Sequence, residues 1–225
     1  MTTRPLRLGL MVPANNTTME GELLAWLPAG STVMQRRIPR GQGLLTAETL
    51  PAYRDEALRL AVDFARAPLD AVAYGCTAAG FIAGPAGDAS LRSELEHVTG
   101  KPVVTTANAM VEALASDRAR RIALVTPYLD AVNDQLKAYL AASSIEVARF
   151  ASFFAKDTDA LGRIEADQVA ELARRTMDDD CDALFIGCSQ LPTLRIIDSL
   201  RIEFQRPAWS SIRATAWAVY RRFEA

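Results

Sequence analysis

The sequence predicts an α/β protein of two βαβ lobes, each with a four-stranded parallel sheet, and an active site in the cleft between them. Two observations lead to this fold class. Short apolar runs bounded by polar residues and glycine, typical of buried parallel strands, alternate with segments of helical apolar spacing. In addition, three segments of the first half recur in the same order in the second half. Such a duplication predicts two lobes of one plan.

The duplication is clearest around two cysteines. The segment 70–77 reads DAVAYGCT and the segment 182–189 reads DALFIGCS. The other matched pairs are 7–13 with 121–127 and 101–106 with 206–211. We therefore expect an N-terminal lobe at 1–116 and a C-terminal lobe at 117–225.

In the first half, the pattern predicts alternating strands and helices. Strands are expected at about 7–12, 32–37, 70–76 and 102–105, and helices at about 19–27, 51–65, 91–98 and 107–116. Thr17 or Thr18 is expected to cap the first helix. A connection containing Gly41 and Gly43 is expected to lead towards the second.

The segment 84–87, which reads GPAG, is interpreted as a turn. Its proline lacks the amide that a phosphate-binding loop would need. Asp88 is expected to cap the helix that follows, and Gly100 to end it.

The second half is predicted to repeat this plan. Strands are expected at about 121–127, 146–150, 182–188 and 206–211, and helices at about 129–142, 166–178, from shortly after 188 to 200, and from 211 to 223. Since ligands of open α/β sheets bind at the carboxyl ends of the strands, both cysteine segments should reach the cleft.

Composition narrows the function classes. The chain has 225 residues and a net charge of −2, which provides no long-range field for nucleic acid. We expect a cytoplasmic protein without a membrane span, because the N-terminal segment has no long apolar run. Three cysteines and one histidine without a Cys-x-x-Cys motif argue against a disulfide framework or a zinc site. His97 lies off the apolar stripe of its helix and is expected to be solvated, so acid–base chemistry must use other groups.

Cys76 and Cys188 are the candidate catalytic residues. If the strand ends of the two lobes face each other, the two thiols lie on opposite sides of one cleft. Each is expected just before a helix, where free amides and the helix dipole favour a thiolate. One thiolate and one thiol form a matched base and acid. The alternative is that both are buried structural cysteines; Cys181 lacks the flanking motif and is interpreted as structural.

Six polar residues are candidate substrate ligands at the same edge. They are Asn15, Asn16, Thr77, Tyr128, Thr158 and Ser189. The asparagines could equally be loop residues, Tyr128 a packed aromatic, and Thr77 and Ser189 helix caps. The amides near Thr77 and Ser189 could also stabilise a developing oxyanion. Thr158 follows the second strand of its lobe, where an ordinary loop threonine is the simpler interpretation.

With these residues in view, the chain resembles the aspartate/glutamate racemase superfamily, and most closely its maleate cis-trans isomerase and arylmalonate decarboxylase branch. The segment 12–20, VPANNTTME, is similar to the isomerase sequence VPSSNTTME. The segments that match the isomerase around both cysteines and its tyrosine loop are 74–76, 187–188 and 127–128. The segment 128–133 is similar to the decarboxylase.

The resemblance implies a cofactor-independent, pseudo-twofold, oligomeric enzyme that acts on a small carboxylate. In the isomerase the first cysteine adds to the double bond and the second handles a proton. The decarboxylase has glycine where Cys76 stands, so this chain departs from it there. It departs from the isomerase at Thr158, where that enzyme has asparagine, and at Asn15, where it has serine.

Three functions are therefore carried forward. The first is an isomerase or racemase of a small carboxylic acid that requires both cysteines. The second is an arylmalonate-type decarboxylase in which Cys188 alone delivers a proton. The third is a carboxylate-binding protein that retains the cleft without catalysis, in which the thiols would have ordinary pKa values.

Overall fold

A computed structural model describes residues 4–40 and 43–223. Gly41, in the predicted glycine-containing connection, lies outside these residues. The strands are β1 Arg7–Pro13, β2 Thr32–Ile38, β3 Ala71–Tyr74, β4 Val103–Thr105, β5 Arg121–Thr126, β6 Glu146–Ser152, β7 Ala183–Ile186 and β8 Ala208–Ser210. The helices are α1 Met19–Trp26, α2 Leu50–Ala65, α3 Thr77–Phe81, α4 Gly84–Thr99, α5 Thr106–Ser116, α6 Asp130–Ala142, α7 Thr158–Gly162, α8 Ala166–Thr176, α9 Ile197–Phe204 and α10 Ser211–Arg221.

The strands form two four-stranded sheets of identical topology. Their orders are β2-β1-β3-β4 and β6-β5-β7-β8, and every neighbouring pair is parallel. The central strands β3 and β7 are buried along their whole length, which explains their continuous apolar sequences. The predicted fold class is confirmed.

The acidic residue that opens each duplicated segment has the same structural role in both halves. The Asp70 carboxylate accepts a hydrogen bond from the Arg7 amide at 2.7 Å. The Asp182 carboxylate accepts one from the Arg121 amide at 2.8 Å. Each aspartate thus satisfies an amide at the start of the neighbouring central strand, so this part of the motif is structural.

The two lobes also meet directly through hydroxyl groups. The Thr215 hydroxyl of α10 donates to the Thr106 hydroxyl of α5 at 3.0 Å, and both residues are fully buried. Thr106 in turn donates to the carbonyl of Tyr74, at the end of β3. The contact between lobes is therefore continuous with the strand that leads to Cys76.

The predicted turn at 84–87 is wrong. These residues form the first turn of α4, and Asp88 lies inside that helix rather than at its cap. Proline is compatible with a helix when it occupies the first turn, because the amide it lacks would have no helical partner there. Asp88 is instead buried, and its carboxylate accepts from Thr105 and from Tyr139 of the other lobe.

Two further elements differ from the prediction in the second half. The helix α7 was not expected, and the helix after Cys188 begins only at Ile197, after a non-helical segment. Contacts with the other lobe hold that segment: the Thr18 hydroxyl donates to the Gln190 carbonyl, and Thr193 donates to Glu22. Such long-range contacts leave no local sequence pattern.

Two predictions for α4 are confirmed: that Gly100 ends the helix and that His97 is exposed to solvent. Gly100 ends α4 with a left-handed conformation (φ 63°), and His97 is exposed. At α1, Thr18 occupies the cap position without a side-chain cap bond. Thr18 is therefore the N-cap residue, as predicted, but the Asn16 side chain and not its own accepts from the amides of Thr18 and Met19. None of the helices in the described parts of the chain is long and apolar enough to cross a membrane.

Candidate active site

One cleft lies at the carboxyl ends of the strands of both sheets. Its empty volume is about 460 Å³, and Cys76 of the first lobe and Cys188 of the second both line it. Asn15, Asn16 and Tyr128 border the same space. The duplicated cysteine motifs therefore converge on a single site.

Cys76 occupies the N-cap of α3, as the sequence indicated. Burial raises the pKa of the Cys76 thiol above its ordinary value. Arg40, the amides of Ala79 and Ala78, and the Tyr53 hydroxyl act against burial and lower that pKa in part. The local groups thus favour the thiolate, while burial favours the neutral thiol.

Cys188 has a different setting, and the expectation that it precedes a helix is wrong. Its φ is 142°, a backbone conformation that residues other than glycine rarely adopt. The Ser211 hydroxyl accepts from the Cys188 amide at 2.9 Å, and the Gln190 amide donates to the Cys188 sulfur at 3.4 Å. Hydrogen bonds with Ser211 of α10 and with the Gln190 amide therefore hold Cys188 in place of the expected helix start.

The two thiols influence one another. Burial raises the pKa of Cys188, and a negative charge on Cys76 raises it further. The Gln190 amide and the Tyr128 hydroxyl lower that pKa in part. Because one ionised thiol disfavours ionisation of the other, the cleft is suited to hold one thiolate and one thiol.

Tyr128 links Cys188 to the first lobe. Its ring packs edge-on against Phe81 of α3, with 5.6 Å between the ring centroids. Burial and the neighbouring Cys188 raise the pKa of Tyr128 well above its ordinary value, so the hydroxyl stays protonated. The Thr77 side chain interacts with it and also donates to the Ser211 hydroxyl at 3.1 Å. Tyr128 is thus a proton-bearing donor inside the cleft.

Asn16 and Ser189 bridge the two lobes beside the cleft. The Asn16 side-chain nitrogen donates to the carbonyl and the hydroxyl of Ser189, at 3.2 and 3.1 Å. The Ser189 hydroxyl donates to the Gly75 carbonyl at 2.6 Å. The Asn16 amide is therefore committed within the protein, and a direct contact with a substrate stays a prediction.

Arg40 is the site residue that sequence reasoning missed. It lines the cleft two residues beyond the end of β2, and its Nε donates to the Asn15 side-chain oxygen at 3.0 Å. The signal was available, since the carboxyl end of β2 lies at the same edge as those of β1 and β3. In the sequence, however, this segment is marked only as a connection by Gly41 and Gly43.

Thr158 does not line the cleft, contrary to its choice as a candidate ligand. It is the first residue of α7, and Asp157 caps that helix by accepting from the Ala160 amide. Leu161, one turn further along α7, borders the cleft instead. Within the described residues, no group of three or more His, Cys, Asp or Glu side chains is placed to hold a metal ion.

Comparison with known proteins identifies the family of this chain. The family model for arylmalonate decarboxylase matches residues 8–225. The chain belongs to the arylmalonate decarboxylase family. The resemblance found in the sequence is therefore confirmed.

The chain is also similar to maleate isomerases. The maleate isomerase of Nocardia farcinica is 29% identical over 226 residues, covering 97% of this chain and 90% of that protein. The crystal structure of maleate isomerase Iso from Pseudomonas putida S16 has a TM-score of 0.89 and 26% identity, covering 98% of this chain and 94% of that one.

A third relative bears on cysteine chemistry. It is a cysteine-to-serine mutant of the Nocardia farcinica maleate cis-trans isomerase with a covalently bound succinylcysteine intermediate. Its TM-score to this chain is 0.87 at 28% identity, covering 97% of this chain and 92% of that one.

Proposed function

We propose that this protein is a cofactor-independent cis–trans isomerase of a small unsaturated dicarboxylate of the maleate type. The observation that carries the proposal is that Cys76 and Cys188 line one cleft from opposite lobes. The succinylcysteine in a relative of 28% identity supports covalent chemistry at one of two such cysteines.

In the first half of the proposed reaction, the Cys76 thiolate attacks one alkene carbon and forms a carbon–sulfur bond. The electron pair of the double bond moves into the adjacent carboxylate, giving an enediolate. The Cys188 thiol then protonates the neighbouring carbon, which leaves a succinyl thioether on Cys76 and a thiolate at Cys188.

In the second half, the former double bond is single and rotates. The Cys188 thiolate removes a proton from the carbon that it protonated, the double bond re-forms in the trans geometry, and the Cys76 thiolate leaves. Each thiol returns to its starting state, so no cofactor or external proton is consumed. The mutual effect of the thiols on their pKa values favours this alternation.

The remaining site residues have supporting roles in this proposal. Tyr128 donates a hydrogen bond to a substrate carboxylate, and the amides around Thr77 and Ser189 stabilise the enediolate. Asn16 keeps the two lobes in register, and Asn15 orients Arg40. The catalytic cleft then lies between lobes 1–116 and 117–225, and we further propose a cytoplasmic homo-oligomer.

An arylmalonate-type decarboxylase is the second candidate, favoured by the description of the matching family model. Only Cys188 would then be essential, delivering a proton to the enediolate that remains after carbon dioxide leaves. In that reaction Cys76 has no required role.

The test is proton NMR of the full-length protein with maleate, alongside Cys76→Ala and Cys188→Ala variants. The proposal expects conversion to fumarate by the unaltered chain and loss of turnover in both variants, with Cys181→Ala as the matched control. Near-normal turnover in either catalytic variant contradicts the two-thiol mechanism. Release of carbon dioxide from a substituted malonate that survives Cys76→Ala favours the decarboxylase.

A further inference from the structure

Arg40 differs from the two arginines of β2 in its hydrogen bonds. Within the described residues, the guanidinium groups of Arg36 and Arg37 are paired, whereas that of Arg40 is paired only at Nε. The Arg36 guanidinium forms an ion pair with Asp63 at 2.7 Å. The Arg37 guanidinium donates to the backbone carbonyls of Ala14 and Asn16. Arg40 donates from Nε to Asn15, and among residues 4–40 and 43–223 neither of its terminal nitrogens has an acceptor.

Arg40 lines a cleft without a compensating charge. In the described structure, the side chains that line the cleft include no aspartate or glutamate. The positive charge of Arg40 lowers the pKa of both Cys76 and Cys188, although burial outweighs it. Among the described side chains that line the cleft, Arg40 therefore has no anionic partner.

We propose that Arg40 binds the second carboxylate of the substrate and thereby restricts this site to dicarboxylates. This inference rests on the proposed function, and it identifies the substrate class that the site selects. The two terminal nitrogens form a planar fork whose spacing matches the two oxygens of a carboxylate. Asn15 holds Nε, which limits the rotation of the fork.

The same geometry acts against substrates with an apolar group at this position. Leu44 and Leu45 border the cleft beside Arg40, and they also line a neighbouring cavity of about 620 Å³ that contains Arg40 and Tyr53. An aryl group there would pack on the leucines but would cover the guanidinium without giving it an acceptor. A covered and unpaired charge is costly, so the dianion is preferred.

The test compares maleate with its monoamide, which keeps the double bond and one carboxylate. In Arg40→Gln, kcat/KM for maleate should fall by about 10- to 100-fold, as expected for loss of a charge-assisted hydrogen bond. The value for the monoamide should change little, so the preference for the dianion is lost. Arg40→Lys should recover part of this preference, and Arg36→Gln on β2, which does not line the cleft, is the matched control.

One competing explanation is that Arg40 only promotes thiol ionisation. In that case maleate and the monoamide would lose activity equally, and the pH profile of kcat/KM would move to higher pH in Arg40→Gln. This result would overturn the inference.

A binding measurement separates the inference from the proposed function. Calorimetric titration with succinate and with its monoamide needs no turnover. A chain that does not isomerise maleate, but whose preference for succinate disappears in Arg40→Gln, contradicts the proposed function and supports the role of Arg40. A chain that isomerises maleate and keeps its dianion preference in Arg40→Gln supports the proposed function and overturns the inference.

Discussion

Gly75 and Gly187 occupy equivalent positions before the two cysteines, but their surroundings differ. A Cβ atom on Gly75 would lie 2.5 Å from the Met19 sulfur and 2.9 Å from the Met11 carbonyl oxygen. At Gly187 the nearest atom, from Leu136, would be 3.5 Å away, which is an ordinary contact. The glycine is therefore sterically required only in the first motif.

This difference predicts unequal effects of the same substitution. Gly75→Ala should lower the free energy of unfolding by about 1–3 kcal/mol, because the backbone carbonyl of Met11 cannot move aside easily. Gly187→Ala is the matched control and should lower the free energy of unfolding much less. Urea denaturation of both variants measures the difference, and equal losses would contradict this account of the close approach.

At the residue scale, the sequence predicted both thiols and several polar residues of the cleft, but it did not predict Arg40. The duplicated motif identified Cys76 and Cys188, because a motif of eight residues repeated with its flanks is a strong local signal. Arg40 carries no such repeat, since the matching loop of the second lobe leads into α7 instead. The commitment of the Asn16 amide to Ser189 depends on a partner 173 residues away, which no local pattern reveals.

Asp88 is the most informative residue at the scale of elements. Asp88 lies within α4. Its carboxylate accepts hydrogen bonds from Thr105 at the end of β4 and from Tyr139 of α6 in the other lobe. Burial raises the pKa of Asp88 above its ordinary value, and the hydrogen bonds from Thr105 and Tyr139 and the charge of Arg92 oppose this only in part. The folded protein therefore binds a proton at Asp88 more tightly than the unfolded chain does.

The sign of the resulting pH dependence follows from linkage. Where the folded state binds more protons, the free energy of unfolding falls as pH rises above the ordinary pKa of aspartate. Asp88→Asn removes this contribution and keeps an oxygen for Thr105 and Tyr139. Its stability relative to the unaltered protein should therefore increase from about pH 4, near the ordinary pKa of aspartate, to about pH 7.

The measurement is urea denaturation at both pH values, with Asp55→Asn on the exposed surface of α2 as the control. The control should show no such trend. A constant difference between Asp88→Asn and the unaltered protein would contradict the raised pKa of this carboxyl.

Elements were predictable where local chemistry decides them. All eight strands lie close to their expected positions because apolar runs between polar boundaries leave few alternatives. The segment 84–87 was misinterpreted because proline and glycine suit both a turn and a first helical turn. The segment after Cys188 was misinterpreted because bonds to Thr18 and Glu22 of the other lobe, and not its own propensity, hold it.

At the scale of the whole molecule, the pseudo-symmetric arrangement of the two lobes accounts for the position of the site. The differences between the surroundings of the two thiols account for their different roles. Both lobes bring a Gly-Cys segment to one cleft. Cys76 lies at a helix start and near Arg40, whereas Cys188 lies in a turn and beside Tyr128. These settings favour Cys76 as the thiolate that attacks and Cys188 as the thiol that donates a proton.

The most direct test of this central claim is peptide mapping by mass spectrometry of Cys188→Ser after incubation with maleate. We expect a succinyl adduct on Cys76: the thiolate still attacks, water supplies the proton to the neighbouring carbon in place of the missing thiol, and no thiolate at position 188 remains to remove it. Cys76→Ser treated in the same way should carry no adduct at Cys188. An adduct on Cys188 in that variant, with an unmodified Cys76 in Cys188→Ser, would contradict the assignment of the two thiols.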